Sequence, residues 1–295
     1  MPTDTEQIIY YLSEDYLIKK QDNGLYAVTN AGALLFAKKL SEFQYVSRKR
    51  LRVIQYNGNS RISTKNDITF DGGYASSFEE IIRYIGSILP KTENIENGIR
   101  TNTPHYPEII LRELIANALI HQDFIPTGVG PTVEIFNTRI EITNPGVPLV
   151  DINRILDNPP KSRNEILAAL MRRFGICEEQ GSGWDKVAAY SEIVKLPAPK
   201  IVEYHESTKV TVSDFIPLNK MSREDRIWAC YLHACLKYSN GEQINNSSLR
   251  ERFGLPNKEN SRISRLIKET VENKLIKPFD SETAPRYMQY VPFWA

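Results

Sequence analysis

Long apolar runs are missing from these 295 residues. No stretch approaches the roughly 20 consecutive apolar positions of a membrane-spanning helix, and the N-terminus lacks the pattern of a secretory leader. Cysteine is scarce. Cys177, Cys230 and Cys235 form no C-x-x-C pair, which leaves almost no case for a structural zinc site and points to reduced thiols in a cytoplasmic setting. An excess of either charge is absent too. The 37 Lys and Arg against 36 Asp and Glu leave a formal charge of +1, so any nucleic-acid site has to be a local patch. Repeats and low-complexity tracts are lacking. What is present suffices for real cores: 41% hydrophobic residues in a chain long enough for roughly two domains.

One stretch organises the rest, Arg112-Glu-Leu-Ile-Ala-Asn-Ala-Leu-Ile-His-Gln-Asp-Phe124. Leu111, Leu114, Ile115, Ala118 and Leu119 recur at helical spacing and predict an inward face. Glu113, Asn117 and His121 recur every four residues and share a stripe of the same helix. A carboxylate, an amide and an imidazole on a mostly apolar helix are costly to bury without partners, so the stripe should face a polar cavity or a ligand. The bland alternative is an amphipathic helix with a solvated edge. His121 can touch a ligand or be a satisfied structural histidine, and Asp123 can join the same edge or cap the following loop.

Downstream, Thr132–Phe136 and Arg139–Thr143 alternate around Asn137-Thr138 and predict a β-hairpin. It runs into Asn144-Pro145-Gly146, where glycine lets the backbone pass close to another group. Later, Glu178-Glu-Gln-Gly181-Ser-Gly183-Trp184 places a Gly-x-Gly at the start of a helix near Trp184, a natural anion site. A lone Gly-x-Gly is weak. The ordered set of Glu-x3-Asn helix, hairpin ending in Asn-Pro-Gly and Gly-x-Gly at a helix start is much stronger.

That order resembles the Bergerat-fold ATPases of gyrase, the heat-shock chaperones of that class, sensor histidine kinases and MutL. More closely, the chain is similar to a bacterial family of transcriptional regulators often labelled RecG-like ATP-dependent helicases, from about Thr29 to Ala295. In that family a Schlafen-type AlbA domain usually precedes the ATPase-like domain and a winged helix follows it. Lys161-Ser-Arg163-Asn164-Glu is another of its signatures. The resemblance implies that ATP and magnesium are the cofactors. Glu113 would be the base that activates water and Asn117 the magnesium ligand. Asn144, Gly146, Gly181, Gly183, Arg163, Asn164 and His121 would surround the nucleotide. Arg163 can reach phosphates or a carboxylate. Asn144 departs from the superfamily's adenine-reading Asp, although an amide still offers an acceptor and a donor to the base. The helicase label itself finds no support, because no G-x-x-x-x-G-K-[ST] loop occurs.

Elsewhere, Leu17–Thr29 predicts a hairpin around Asn23-Gly24, with Thr29 or Asn30 capping a helix over Ala31–Leu40. This resembles the tail of a winged-helix unit, so the chain is either a truncated product or a naturally short member. Arg48-Lys-Arg-Leu-Arg52 leads into a strand over Leu51–Tyr56 and reads as a charged edge, or as a nucleic-acid contact. Phe78–Leu89 is a predicted helix with Ser76 or Ser77 near its cap, and Pro107 fits the first turn of the central helix. Asp151–Leu156 and Asn164–Phe174 read as amphipathic helices, the latter stopped by Gly175. Trp184 is expected in the core. Lys200–Tyr204 and Lys209–Phe215 complete the sheet.

A boundary falls near Pro217–Ser222. Beyond it come a helix capped by Ser222, a short helix over Asn246–Gly254, a basic helix over Asn260–Asn273 and strands over Leu275–Phe279 and Arg286–Pro292 that can pair as a wing. That is the order of a winged helix-turn-helix. Across Lys220–Asp280 twelve Lys and Arg face eight Asp and Glu, a surplus of four, which decides little between DNA binding and a docking module. Arg262, Arg265 and Lys268, with Ser261 and Ser264 beside them, are the candidate DNA contacts.

The fold class expected is therefore α/β, an α+β sandwich of Bergerat type with a C-terminal winged helix-turn-helix. Residues 1–45 form a partial winged-helix-like segment, 46–217 the ATP-binding domain and 218–295 the winged helix. The function expected is a cytoplasmic, ATP-binding and weakly hydrolysing DNA-associated regulator, in transcription or mobile-element defence. DNA and a homo-oligomer are its expected partners, and no membrane. The alternatives are a non-catalytic assembly protein with a degenerate pocket and the ATPase part of a nucleic-acid enzyme that lacks its AlbA-like domain.

Overall fold

A computed structural model describes residues 4–96, 99–125, 128–159, 161–177 and 183–295. Helix α1 (Thr5–Glu14) is capped by Asp4, whose side chain accepts from the Glu6 N–H. Strands β1 (Ile18–Lys20) and β2 (Tyr26–Val28) pair as the expected hairpin, its turn closed by Gly24 at φ +82°. Thr29 then caps α2 (Asn30–Phe36) by accepting from the Gly32 N–H. The helix stops four residues before the expected Leu40. Residues 71–73 take the next backbone groups instead: Gly73 N donates to Ala37 O at 2.8 Å and Leu40 N to Asp71 O at 2.6 Å. Only glycine fits at 73, since a Cβ there would lie 2.5 Å from the Leu35 carbonyl.

Strands β3 (Arg52–Tyr56) and β4 (Thr64–Thr69) lead to α3 (Tyr74–Ile88), which begins four residues earlier than expected. Gly73 sits at its N-cap. Ser76 and Ser77 fall inside the first turn, with the Ser77 hydroxyl donating to Gly73 O. A hairpin of β5 (Lys91–Glu96) and β6 (Ile99–Pro104) precedes α4 (Glu108–His121), where Pro107 is the cap residue rather than a first-turn one. Strands β7 (Thr132–Ile135) and β8 (Arg139–Pro145) pair in the predicted register. The helix expected over Asp151–Leu156 is a single 3-10 turn, Ile152–Arg154, capped by Asp151, whose carboxylate accepts from the Asn153 N–H. The chain then turns, Asp157 N and Asn158 N both donating to Arg154 O, ahead of Pro159, which disfavours helix at the residue before it. Helices α5 (Glu165–Arg173) and α6 (Gly183–Ile193) and strands β9 (Lys200–Tyr204) and β10 (Ser207–Ser213) follow.

The strands form a six-stranded mixed sheet in the order β4-β3-β7-β8-β10-β9, antiparallel except for the β3–β7 pair. Alternation along the strands sends Val53, Val133, Ile135, Ile140, Ile142, Val210 and Val212 to one apolar core, shared with α3 and α4. The opposite face holds Ile54, Tyr56 and Phe136 and a charged set. There Arg61 binds Glu134 through two nitrogens at 2.6 and 2.7 Å and also reaches Glu141 at 2.9 Å. Arg139 and Lys209 complete the pairing of Glu141.

Helices α7 (Arg223–Ser239), α8 (Asn246–Arg252) and α9 (Asn260–Glu272) and the pair β11 (Ile276–Pro278) and β12 (Tyr290–Pro292) build a second core. Ser222 caps α7, and Asn245 and Ser248 form a reciprocal capping box on α8. This core includes Tyr231, Leu249, Ile263 and Ile267, and it draws in Leu156, Ala188 and Ala198 from before the Pro217–Ser222 boundary. Trp184 packs against both cores. Among the described residues no helix is long and apolar enough to cross a membrane.

Candidate functional site

Helix α4 is buried on nearly every side. Ile110, Leu111, Leu114, Ile115, Ala116, Ala118, Leu119 and Ile120 are all inside, so the polar stripe lies on a helix otherwise packed in apolar side chains. Glu113 is 7% exposed, while Asn117 and His121 are half-buried. Gly183, the first residue of α6, lies directly over Glu113 and Asn117. A Cβ on Gly183 would come within 2.6 Å of Glu113 Oε2 and 3.6 Å of Asn117 Nδ2. The N-terminus of α6 thus seats closely against a carboxylate and an amide. Gly181 lies outside the described residues.

Eight residues along α4, about 12 Å at helical rise, the other candidates gather. Gly146 has φ +106°, and a Cβ there would meet the Asp123 backbone N at 3.2 Å and Arg163 Cζ at 3.4 Å. Asn144 is buried, its Nδ2 donating to Pro145 O at 3.3 Å. It faces Thr208 across the β8–β10 register, and the Thr208 hydroxyl donates to Gly146 O at 2.7 Å. Of the two partners open to Arg163, the structure places a carboxylate: Nη1 donates to Asp123 Oδ2 at 3.1 Å and Nη2 to Val147 O at 2.8 Å. Asp123 also caps the next turn by accepting from the Ile125 N–H.

Asn164, expected at the nucleotide, turns its amide to α4 instead. Its Nδ2 donates to Ile120 O at 2.7 Å and Gln122 O at 2.8 Å, closing carbonyls that a helix end leaves without intrahelical donors. Burial and the neighbouring Arg163 charge both hold the His121 pKa below its ordinary value, which favours neutral imidazole.

Sequence reasoning missed a buried polar chain beneath this end. Gln122 is fully buried and donates to the Tyr74 hydroxyl at 2.7 Å, and Tyr74 donates to Lys49 O at 2.6 Å. Lys49 is 3% exposed, and its ammonium donates to Asp123 O at 3.1 Å. Burial draws its pKa down, with Asp123 opposing. The basic run at 48–52 is therefore largely structural: Arg50 meets Asp71 and Arg52 meets Asp67. A buried lysine inside a basic run carries no periodic signal that would have marked it.

At the other end of the molecule, Ser261, Arg262, Arg265 and Lys268 are exposed on α9. Arg262 pairs with Glu259 at 3.0 Å and Lys268 lies 3.9 Å from Glu272. Ser264 is exposed on the same side, and its hydroxyl accepts from Asn246 Nδ2 at 3.0 Å. It lines a polar groove of about 590 Å³ shared with Arg250, Asn260, Arg286 and Tyr287. Neither Arg250 nor the strand-side residues Arg286 and Tyr287 stood out in the sequence.

Residues 128–212 match the family described as "Putative ATP-dependent DNA helicase recG C-terminal". That span runs from just before β7 past Gly146 and Gly183 to β10. No curated protein matches. Among solved structures, the chain is similar to the DIP2311 protein from Corynebacterium diphtheriae, with a TM-score of 0.59 and 17% identity over 95% of this chain. The chain spans 56% of the length of that protein, and at this identity the likeness is one of fold.

Proposed function

We propose that the chain binds an adenine nucleotide with magnesium along the polar stripe of α4 and hydrolyses it slowly. The observation that carries this reading is the seating of Gly183, at the N-terminus of α6, on Glu113 and Asn117. A helix N-terminus favours phosphate, and this one stands close over a carboxylate and an amide. The match of residues 128–212 to an ATPase-like family supports it.

The donor set fits magnesium, a hard cation that prefers oxygen ligands. The Asn117 side-chain oxygen would hold it, and when bound it would neutralise phosphate charge. Glu113, on a rigid buried helix, orients water and accepts its proton. Asn144 and Thr208 would face the base from the sheet, beside the Gly146 turn against which Asp123 and Arg163 close. Phosphoryl transfer needs positioning and neutralisation more than covalent chemistry, and these residues supply both.

Calorimetry with ADP, with and without magnesium, tests the site. Binding that strengthens with magnesium is expected. No binding at millimolar ligand, about −4 kcal/mol, would remove the reading.

The C-terminal helices and strand pair we read as a winged helix that contacts DNA through the outward face of α9 and the adjacent groove. What favours this is the placement of Arg250, Arg286 and Tyr287 beside α9: cations and an exposed aromatic ring next to a basic helix suit a phosphate backbone.

A further inference from the structure

Helix α6 touches both functional regions. Its first residue rests on Glu113 and Asn117, and its eleven residues rise about 16 Å to the C-terminal helices. On the way, Val187 joins the first core and Ala188 the second.

At its far end Glu192 enters a buried charged cluster. One carboxylate oxygen lies 2.8 Å from His233 Nδ1 on α7, the other 3.2 Å from Arg252 Nε on α8. The Arg252 side chain is 1% exposed, and its Nη2 donates to Leu196 O at 2.7 Å. His233 Nε2 lies 3.3 Å from the Ser248 hydroxyl of the α8 capping box. Just past α6, Lys195 Nζ donates to Glu251 O at 2.7 Å. A buried guanidinium that loses its carboxylate is strongly unfavourable. Sliding α6 together with α8 costs less than pulling them apart. The same α8 presents Asn246, Ser247 and Arg250 to the polar groove.

We propose that α6 is the coupling element between the α4 site and the C-terminal groove: a ligand that displaces Gly183 shifts α6, and the Glu192–Arg252–His233 cluster obliges α8 to follow. The ligand's identity rests on the nucleotide reading above, whereas the coupling itself does not.

Hydrogen exchange of the full chain, read at the amides of residues 246–252, tests the two separately. In the first arm no nucleotide is used. Gly183→Leu fills the space held by Glu113 Oε2 and Asn117 Nδ2, more than one carboxylate can vacate by turning, and should change exchange in α8 by about fivefold, the low end of site-to-site coupling. In a Glu192→Gln/Arg252→Gln background that change should vanish. An unchanged α8, or an equal change in both backgrounds, overturns the proposal. Should the double variant fail to fold by circular dichroism, Glu192→Leu/Arg252→Met replaces the pair by apolar groups of similar size and serves in its place.

The second arm adds ADP with magnesium to the chain without substitutions. A response in α8 that the double variant lacks supports both readings. Bound nucleotide without that response overturns the coupling. A positive first arm with no nucleotide binding keeps the coupling and removes the nucleotide.

Discussion

Along α4, Glu113, Asn117 and His121 lie on a helix buried on nearly every other side. Along α9, Arg262, Arg265 and Lys268 look outward over a single buried stripe of Ile263, Leu266, Ile267 and Thr270. Both sets are regular in sequence, but their surroundings differ. The α4 groups are largely shielded from bulk water, and the fold brings Gly183 over Glu113 and Asn117 and the Arg163 charge beside His121. The α9 cations are solvated, and two of them need only a nearby glutamate. Polar spacing on a buried helix therefore carries much more positional information than the same spacing on an exposed one.

The sharpest way to break this contrast is Glu113→Gln. The neutral amide keeps the volume under Gly183 but accepts no proton. Hydrolysis should fall by about 10²–10⁴-fold, with ADP affinity little changed, as phosphate release and calorimetry would read. Hydrolysis at the original rate would move the base elsewhere. A smaller effect is expected at the other end of α4. Asn164→Ala removes two hydrogen bonds to Ile120 O and Gln122 O and should cost about 2 kcal/mol, measured by urea unfolding. A loss within about 0.5 kcal/mol would mean that water caps those carbonyls equally well. Least affected in stability should be Arg262→Ala/Arg265→Ala, within about 0.5 kcal/mol for exposed sites. Its effect belongs on DNA, where the slope of log affinity against log salt should flatten by about two. If Arg286→Ala flattens that slope and the double α9 variant does not, the groove rather than the outward face holds the backbone.

The sequence made legible those elements whose signals are local. Asn137-Thr138 between alternating arms defined the β7–β8 hairpin, and Thr29 and Ser222 announced the helices they cap. Strand β4, Thr-Lys-Asn-Asp-Ile-Thr, went unread because an exposed edge strand needs no apolar alternation. The early start of α3 depends on Gly73 fitting against Leu35, a contact between segments far apart in the chain. At the site, the α4 stripe and the glycine turns were visible as spacing, whereas Lys49, Tyr74 and Gln122 were not. Their roles arise only when three separate elements meet in the interior. Arg252 is hidden for the same reason, since its partners Glu192 and Leu196 belong to a segment across the expected domain boundary.

The charged face of the sheet bears on how the chain finds its alignment while folding. Glu134 and Glu141 stand directly opposite each other on β7 and β8, and Arg61, from the loop after β3, clasps both. Slipping either strand by one residue would exchange its faces. A carboxylate would then point among Val133, Ile142 and Val210, and Arg61 would lose part of its clasp. Misaligned pairings are thereby penalised twice, by a misplaced charge and by a broken ion pair. Arg61 acts as a proofreader of strand alignment, set on the side of the sheet away from the polar stripe of α4.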